Sequence, residues 1–316
     1  MKPYDKLPRP FFALAPLDDV TDTVFRQIIA GCAPADLYFT EFVNVDGLQS
    51  PGREKLLPKL RFGPAEHPLI AQLWGKNPEN FYKTTKELIA MGFDGVDINF
   101  GCPDKTIMRQ GACAALINNR GLTGEIIAAV RAGAGRHFPV SLKTRLGIKN
   151  IDFGWHEFLL SHKLNALTIH GRTVSEMSKV PAHWDAIGTV RQMRDRLCPS
   201  TLIIGNGDVF SRASGLRLAQ KYGLEGVMIG RGALADPFVF SADSPWPKLG
   251  KDQRLGLYKK HVELFADTWQ RDERRVVTLN KFCKLYVSGF DGAKELREQL
   301  MQAASTDELL NLLAAA

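Results

Sequence analysis

Residues 95–113, GVDINFGCPDKTIMRQGAC, hold the strongest chemical signal in the chain. Val96, Ile98 and Phe100 alternate with Asp97 and Asn99, the period-2 pattern of a strand, and the run ends in Gly101-Cys102-Pro103. A thiol at the end of a strand, where the backbone turns, is open to chemistry in a way that a thiol on a helix face is not. Packing is the competing role, because most free cysteines are small core residues. If reactive, Cys102 is either a nucleophile, for which no histidine lies nearby in sequence, or a thiol that keeps its proton and serves as a general acid. The polar, basic segment after it reads as a loop and not as a helix. Cys113 falls on the far side of that loop and gains no role; Cys32, Cys198 and Cys283 read as packing residues.

A strand end needs a scaffold, and the chain repeats one. Short apolar runs recur at 11–16, 36–43, 69–75, 95–102, 139–147, 166–172, 201–208 and 226–234, with amphipathic stretches such as 78–91, 123–134, 182–196 and 211–222 between them. Strands alternating with helices imply parallel βαβ units, and eight of them imply a (β/α)8 TIM barrel over residues 1–245. A doubly wound sheet is the alternative, but no G-x-G-x-x-G follows the first strand. In such barrels chemistry gathers at the C-terminal strand ends. Those ends read Pro16-Leu17-Asp18, Glu41, Gln72, Asn99 with Cys102, Lys143 with Arg145, His170 with Arg172, Asn206-Gly207-Asp208, and Gly230-Arg231. Polar and basic groups at one end of nearly every strand argue for an active site there.

The last two of these turns, Gly205-Asn206-Gly207-Asp208 and Gly230-Arg231-Gly232, suit a phosphate, because glycine lets backbone N–H groups approach and Arg231 adds a charge-assisted bond. Lys143 alternates with apolar neighbours in VSLKTRLG. It is a rim lysine, a Schiff-base lysine, or a cation beside a ring that gains negative charge, as a reduced flavin does. Gln72 can donate and accept at a flavin edge. Arg145 and Arg172 follow Lys143 and His170 by two residues and turn the same way as they do. With Lys105 and Arg109 they suit either rim salt bridges or an RNA backbone.

The bulk numbers bound the partners. The chain has 316 residues, 45% apolar and 24% charged, with a net charge of +7. This is an ordinary globular composition with a mild basic excess. No apolar run is long enough for a membrane span, no cleavable leader is legible, and the five scattered cysteines lack zinc spacing. The expectation is a cytoplasmic protein with free thiols and no metal, monomeric by default. Past 245 the pattern changes. The Pro/Gly-rich stretch SADSPWPKLGKD reads as a linker, and residues 250–316 as a small helical bundle with helices near 254–269, 278–287, 292–302 and 306–314, the last capped by Thr306. On the first, Leu257, His261, Leu264, Phe265 and Trp269 share a face. Residues 251–286 carry nine Lys/Arg against five Asp/Glu, while 287–316 carry two against five. Lys281 and Lys284 share a helix face, solvated or facing RNA.

The blocks APLDDVTD, TEFV, AQLWG, DINFGCPDKT, VSLKTRLG, IHGRT, IIGNGD and VMIGRGAL, in this order, closely resemble those of the tRNA-dihydrouridine synthases, and the tail KFCKLYVSGFDGAKELREQL is similar to their C-terminal helical domain. The resemblance runs from about residue 11 to 302. It implies an FMN-dependent reductase that uses NADPH to saturate the 5,6 double bond of a tRNA uridine. It also implies FMN contacts at Pro16, Leu17, Asp18, Gln72, Lys143, His170, Asn206, Gly207, Asp208, Gly230 and Arg231. Cys102 would be the proton donor. Asn99, Arg145 and Arg172 would line the uracil pocket, with Lys105, Lys281 and Lys284 toward tRNA. A free-pyrimidine flavoenzyme and a non-catalytic RNA-binding relative are the alternatives. The wording leans to the D-loop, at its first uridine. Two departures stand out: Leu17 replaces a common Met, and the loop after Cys102 is poorer in glycine than in several relatives.

Overall fold

The computed structural model describes residues 3–270 and 273–316; Arg271, one of the nine basic residues counted above, lies outside them. Eight strands form, one from each apolar run: β1 Phe11–Leu14, β2 Tyr38–Asn44, β3 Leu69–Trp74, β4 Gly95–Phe100, β5 Val140–Arg145, β6 Ala166–His170, β7 Leu202–Asn206 and β8 Gly226–Ile229. Every neighbouring pair is parallel, in the order β1-β8-β7-β6-β5-β4-β3-β2. The two edges meet at a bridge between Ala13 and Leu37, where the Leu14 N–H donates to the Leu37 carbonyl at 3.0 Å. The sheet therefore curls until it has no free edge there.

Alternation along each strand separates two cores. Phe11, Ala13, Leu37, Phe39, Ile70, Ala166, Ile204 and Met228 fill the inside of the curl, with Tyr4 plugging it. Phe12, Leu14, Leu73, Ile98, Leu142 and Ile169 face outward against the helices. Six of these helices, Thr23–Cys32, Pro78–Ala90, Arg120–Ala134, Phe153–Ser161, Trp184–Leu197 and Arg212–Tyr222, follow β1, β3, β4, β5, β6 and β7. Asp22, Asn77, Asn119, Asp152 and Ser211 start five of them by accepting backbone N–H bonds that no helical carbonyl can take.

The segment after Cys102 corrects the loop expectation. Asp104 caps a short helix, Lys105–Arg109, by accepting from the Ile107 N–H at 2.9 Å, and a 3-10 turn, Cys113–Asn118, follows. An Asp in N-cap position was the legible signal. Beyond β8 come the helices Lys251–Thr268, Asn280–Tyr286, Ala293–Leu300 and Thr306–Ala315. The last is capped by Ser305 and not by Thr306, since the Ser305 hydroxyl accepts from the Glu308 N–H at 3.1 Å. The expected linker is packed: Trp246 is buried, stacks on Phe238 and lies under the Arg254 guanidinium. His261, Phe265 and Trp269 are buried as expected, while Leu255, Tyr258 and Val262 replace Leu257 and Leu264 as the deepest residues. Phe282 stacks on Phe25 at 5.0 Å, so these helices share a core with the first helix of the barrel. No helix among the described residues is long and apolar enough to cross a membrane.

Buried charge fixes the loops around β1 and β3. Arg26 and Glu66, both fully buried, form an ion pair. Arg26 also donates to the carbonyls of Thr21 (2.6 Å) and Arg61 (2.8 Å), and Glu66 accepts from Thr23 Oγ1 (2.5 Å) and the Gly63 N–H (2.6 Å). Removing one partner leaves the other charge buried and uncompensated. Arg26→Ala is expected to lower unfolding free energy by about 3–5 kcal/mol, read as a shift of the urea midpoint; a change under about 1 kcal/mol, the range of an exposed pair, would refute this role.

Candidate active site

Strand register brings the sequence-predicted residues together. Gln72 pairs with Asp97, Asn99 with Lys143, Arg145 with His170, and His170 with Asn206, each across adjacent strands. Their side chains open into a cavity of about 460 Å³ at the C-terminal strand ends, within the roughly 300–1,000 Å³ of ligand sites. The eleven residues expected to meet the cofactor all line it, as do Cys102, Asn99 and Arg145. Val20, Phe42, Met177, Ser178 and Phe210 line it too. Sequence reading did not single these out, because Val20 and Phe42 are apolar members of the quoted blocks, the other three fall outside them, and none carries a chemical mark.

Of the residues expected at the uracil pocket, Arg172 stands elsewhere, and the three lysines expected toward tRNA lie outside the cavity. Arg172 is buried behind the wall. Its guanidinium is paired with Asp208, donates to the Val180 carbonyl at 2.5 Å and reaches His170 Nε2 at 3.2 Å. It follows His170 through a bend in which it turns away from the cavity to meet Asp208. Lys281 is bound to the barrel, its ammonium donating to the Asp19 carbonyl at 2.5 Å. Lys284 and Lys105 are exposed on the surface.

Near Lys281 the tail is clamped to the first strand-to-helix turn. Arg274 is paired with buried Glu41, lies 3.6 Å from Asp22 and sits over the Trp269 ring. Glu41 in turn accepts from the Asp19 N–H at 2.7 Å. Carboxylate oxygens of Asp18, Asp19 and Glu41 converge within 4.8 Å of one another, but Lys59 lies among all three. This chain's own cations, Lys59 and Arg274, already occupy the cluster.

The cavity floor is a directed hydrogen-bond chain. Asp97, fully buried, accepts from Ser141 Oγ at 2.6 Å and from Gln72 Nε2 at 2.7 Å. Gln72 Oε1 accepts from Asn99 Nδ2 at 3.0 Å, and Asn99 Oδ1 accepts from the N–H groups of Gly101 and Cys102, each at 3.0 Å. Arg145 closes the turn from above, donating to the carbonyls of Gly101 (2.9 Å), Thr173 (3.0 Å) and Met177 (3.1 Å).

The lysine beside this chain differs from its neighbours. Lys143 has no hydrogen-bond or ion-pair partner among the described residues, and burial, with repulsion from Arg145, pushes it down to about 8. It still carries charge at neutral pH. Burial and the cations Lys143, Arg145 and Arg172 hold His170 neutral, far below its ordinary range. A half-buried cation that lines a cavity without a hydrogen bond or close ion pair, attracted only through space by Asp97 and Cys102, is the complement of an anionic ligand group. On the opposite wall Gly230 and Gly207 bring bare backbone to the cavity; at Gly207 φ is +132° and a Cβ would meet Ala182 at 2.7 Å. Arg231 and Gly232 open a 3-10 turn, so their N–H groups have no helical acceptor. Asp208 holds Arg231 at 2.7 Å.

Cys102 is half-buried at the cavity edge, and Cys113, given no role above, is its neighbour. The Ala114 N–H reaches back to the Cys102 carbonyl at 3.4 Å, which folds the loop so that the two thiols interact. Donation from Cys113 brings Cys102 down to about 7, against burial, while the Cys113 thiol itself rises well above its usual range. The signal for this pairing was weak, because nothing in an 11-residue spacing says that a loop doubles back. Alkylation of Cys102 is therefore expected to accelerate with pH through a midpoint near 7, as thiolate forms. Cys113→Ala should move that midpoint upward, toward the ordinary cysteine value of about 8.5. An unmoved midpoint would dismiss the contact.

The family model described as Dihydrouridine synthase (Dus) matches residues 13–316. A probable tRNA-dihydrouridine synthase of Staphylococcus aureus (strain Mu50 / ATCC 700699) is 43% identical over 314 residues, covering 98% of this chain and 94% of that one. A probable tRNA-dihydrouridine synthase 2 of Bacillus subtilis (strain 168) is 42% identical over 313 residues, with the same coverage. Among solved structures, the fold is similar to that of histamine dehydrogenase from Rhizobium sp. 4-9 (TM-score 0.57, 14% identity, 83% of this chain and 51% of that one). It is also similar to that of morphinone reductase (TM-score 0.54, 15% identity, 75% and 86%). The match spans the strands, the cavity and the tail alike, and the chain belongs to the tRNA-dihydrouridine synthase family.

Proposed function

We propose that the protein reduces the C5=C6 bond of a uridine in tRNA to 5,6-dihydrouridine, with FMN as its flavin, NADPH as reductant and Cys102 as proton donor. The observation that carries this reading is the unpaired Lys143 ammonium in the same cavity as a thiol brought to about 7. One suits an anionic ring and the other a proton transfer at neutral pH. Pro16, Leu17, Asp18, Gln72, Lys143 and His170 would hold the ring and its chain. Asn206, Gly207, Asp208, Gly230 and Arg231 would hold the phosphate. Bound there, FMN supplies the hydride for uracil C6, and NADPH renews it.

The protein's own part is placement and one proton. Asn99 and Arg145 would seat the uracil, and Arg172 supports the wall through His170 and Asp208. As C6 gains hydride, the electron pair of the double bond is left at C5. The Cys102 S–H bond breaks toward that carbon and leaves a thiolate, which the Cys113 thiol stabilises. The acid must hold its proton, so turnover is expected to fall as pH rises past about 7. A base stacked in folded tRNA must leave its stack to reach the cavity. Residues 1–245 form the catalytic domain in this reading, and residues 250–316 a tRNA-binding domain locked to it through Arg274 and Lys281. A free pyrimidine would need no such tail. The first uridine of the D-loop is the preferred target, and the protein acts as a cytoplasmic monomer.

Purified protein is expected to be yellow and to form dihydrouridine in tRNA that lacks it; a colourless protein that FMN does not restore would defeat the proposal. Lys143→Met should keep the fold by circular dichroism and slow turnover about 10²-fold, the scale of a lost charge-stabilising group. Lys284→Ala and Lys105→Ala should each weaken tRNA binding and flatten its salt dependence by about one unit of slope. Unchanged salt slopes would place tRNA on another face.

A further inference from the structure

We infer that Asp97 is a positioning residue whose carboxylate sets the polarity of the Gln72–Asn99 amide chain, so that both amides offer N–H and not C=O to whatever the cavity binds. This rests on the proposed function for its substrate but on the hydrogen-bond chain for its logic. An ionised carboxylate only accepts, and a backbone N–H only donates. Asp97 stands at one end of the chain and the N–H groups of Gly101 and Cys102 at the other. Between such ends two amides have one self-consistent arrangement. Gln72 turns its NH2 to Asp97 and its carbonyl to Asn99; Asn99 turns its NH2 to Gln72 and its carbonyl to the turn. Each NH2 spends one hydrogen in the chain and keeps the other, and both side chains line the cavity. The Gln72 donor complements a carbonyl oxygen of the flavin ring and the Asn99 donor one of the uracil seated on it. The Asn99 donor rejects a substrate ring that presents an amino group at the same place, because donor would face donor.

Asp97 itself lies below the cavity and does not line it. Lys143 and Tyr4 are the charged and titratable groups that face it, with Ser141 and Gln72 donating to it. Burial holds its carboxyl up at about 6. A raised folded-state value means that this site favours folding most at low pH. That contribution is lost as pH rises through about 6, so near neutrality the ionised carboxylate is a burden on the fold. A neutral amide removes that burden but can accept or donate toward Gln72, and the chain loses its single direction. A residue kept only for scaffold strength would behave in the opposite way.

The test compares Asp97→Asn and Ser141→Ala with the parent protein, all loaded with FMN. Asp97→Asn is expected to melt at the parental temperature or above it. It should lose at least about tenfold in kcat/KM on tRNA, the lower end for a lost supporting hydrogen bond, and shift the visible flavin band. Ser141→Ala keeps the charge and should stay within about twofold on tRNA. Parental kcat/KM and spectrum in Asp97→Asn would overturn the assignment. So would an Asp97→Asn protein that melts lower or fails to fold, or a Ser141→Ala protein as impaired as Asp97→Asn. A parent protein that binds flavin but leaves tRNA unreduced would instead remove the proposed substrate and leave the melting and spectral comparison standing.

Discussion

A buried carboxylate beneath an open cavity constrains most of what lies above it. Asp97 can only accept, so Gln72 and Asn99 are oriented by it, and Asn99 in turn holds the N–H groups of the turn that presents Cys102. The thiol's position is thus not a property of a loose loop. It is the far end of a chain that starts inside the curled sheet, between β3, β4 and β5. The links from Asp97 to Gln72 and from Gln72 to Asn99 join side chains one strand apart, placed so by parallel register, and the last link from Asn99 to the turn is local. A slip of one residue would turn every member to the outer face.

Charge organises the other side of the cavity. Lys143, Arg145 and a neutral histidine line it, with Arg172 behind them, yet both arginines are spent within the protein. Arg145 ties the Cys102 turn to the loop after β6, and Arg172 is paired with Asp208. Lys143 alone of the three makes no hydrogen bond or close ion pair among the described residues, and Asp97 and Cys102 attract it only through space. Desolvating a charge is costly, and a charge so held at a cavity is kept where a ligand completes it. The acidic turn after β1 shows the contrary case. Its carboxylates are answered by Lys59 and by Arg274 from the tail, so the same contacts that neutralise the turn dock the C-terminal helices on the mouth.

The strands were legible because each buried run is short, apolar and bounded by turn residues, and all eight formed where that pattern predicted. The cavity wall was legible for a related reason: polar residues at strand ends break an apolar alternation and so stand out. What escaped was set by packing between segments far apart in sequence. Arg172 obeys the same alternation as Arg145 on paper, but the chain bends after His170 and Asp208 captures it. Lys281 stays exposed on its basic helix face, and only the fold shows that it also reaches the Asp19 carbonyl. Cys113 becomes relevant because a loop doubles back, with φ of +52° at that residue, a conformation that composition does not announce. Asp97 looked like an ordinary alternating residue of a strand; its role exists only once its neighbours are known.

The central claim is that the Cys102 thiol gives a proton to a pyrimidine that receives hydride from the same cavity. The direct measurement is single-turnover reduction of dihydrouridine-free tRNA by flavin-loaded Cys102→Ala, with the new nucleoside followed by mass. The account predicts a variant that keeps its flavin spectrum and its tRNA affinity but forms dihydrouridine at least about 10²-fold more slowly, the scale of a lost general acid. Formation at the parental rate would contradict it.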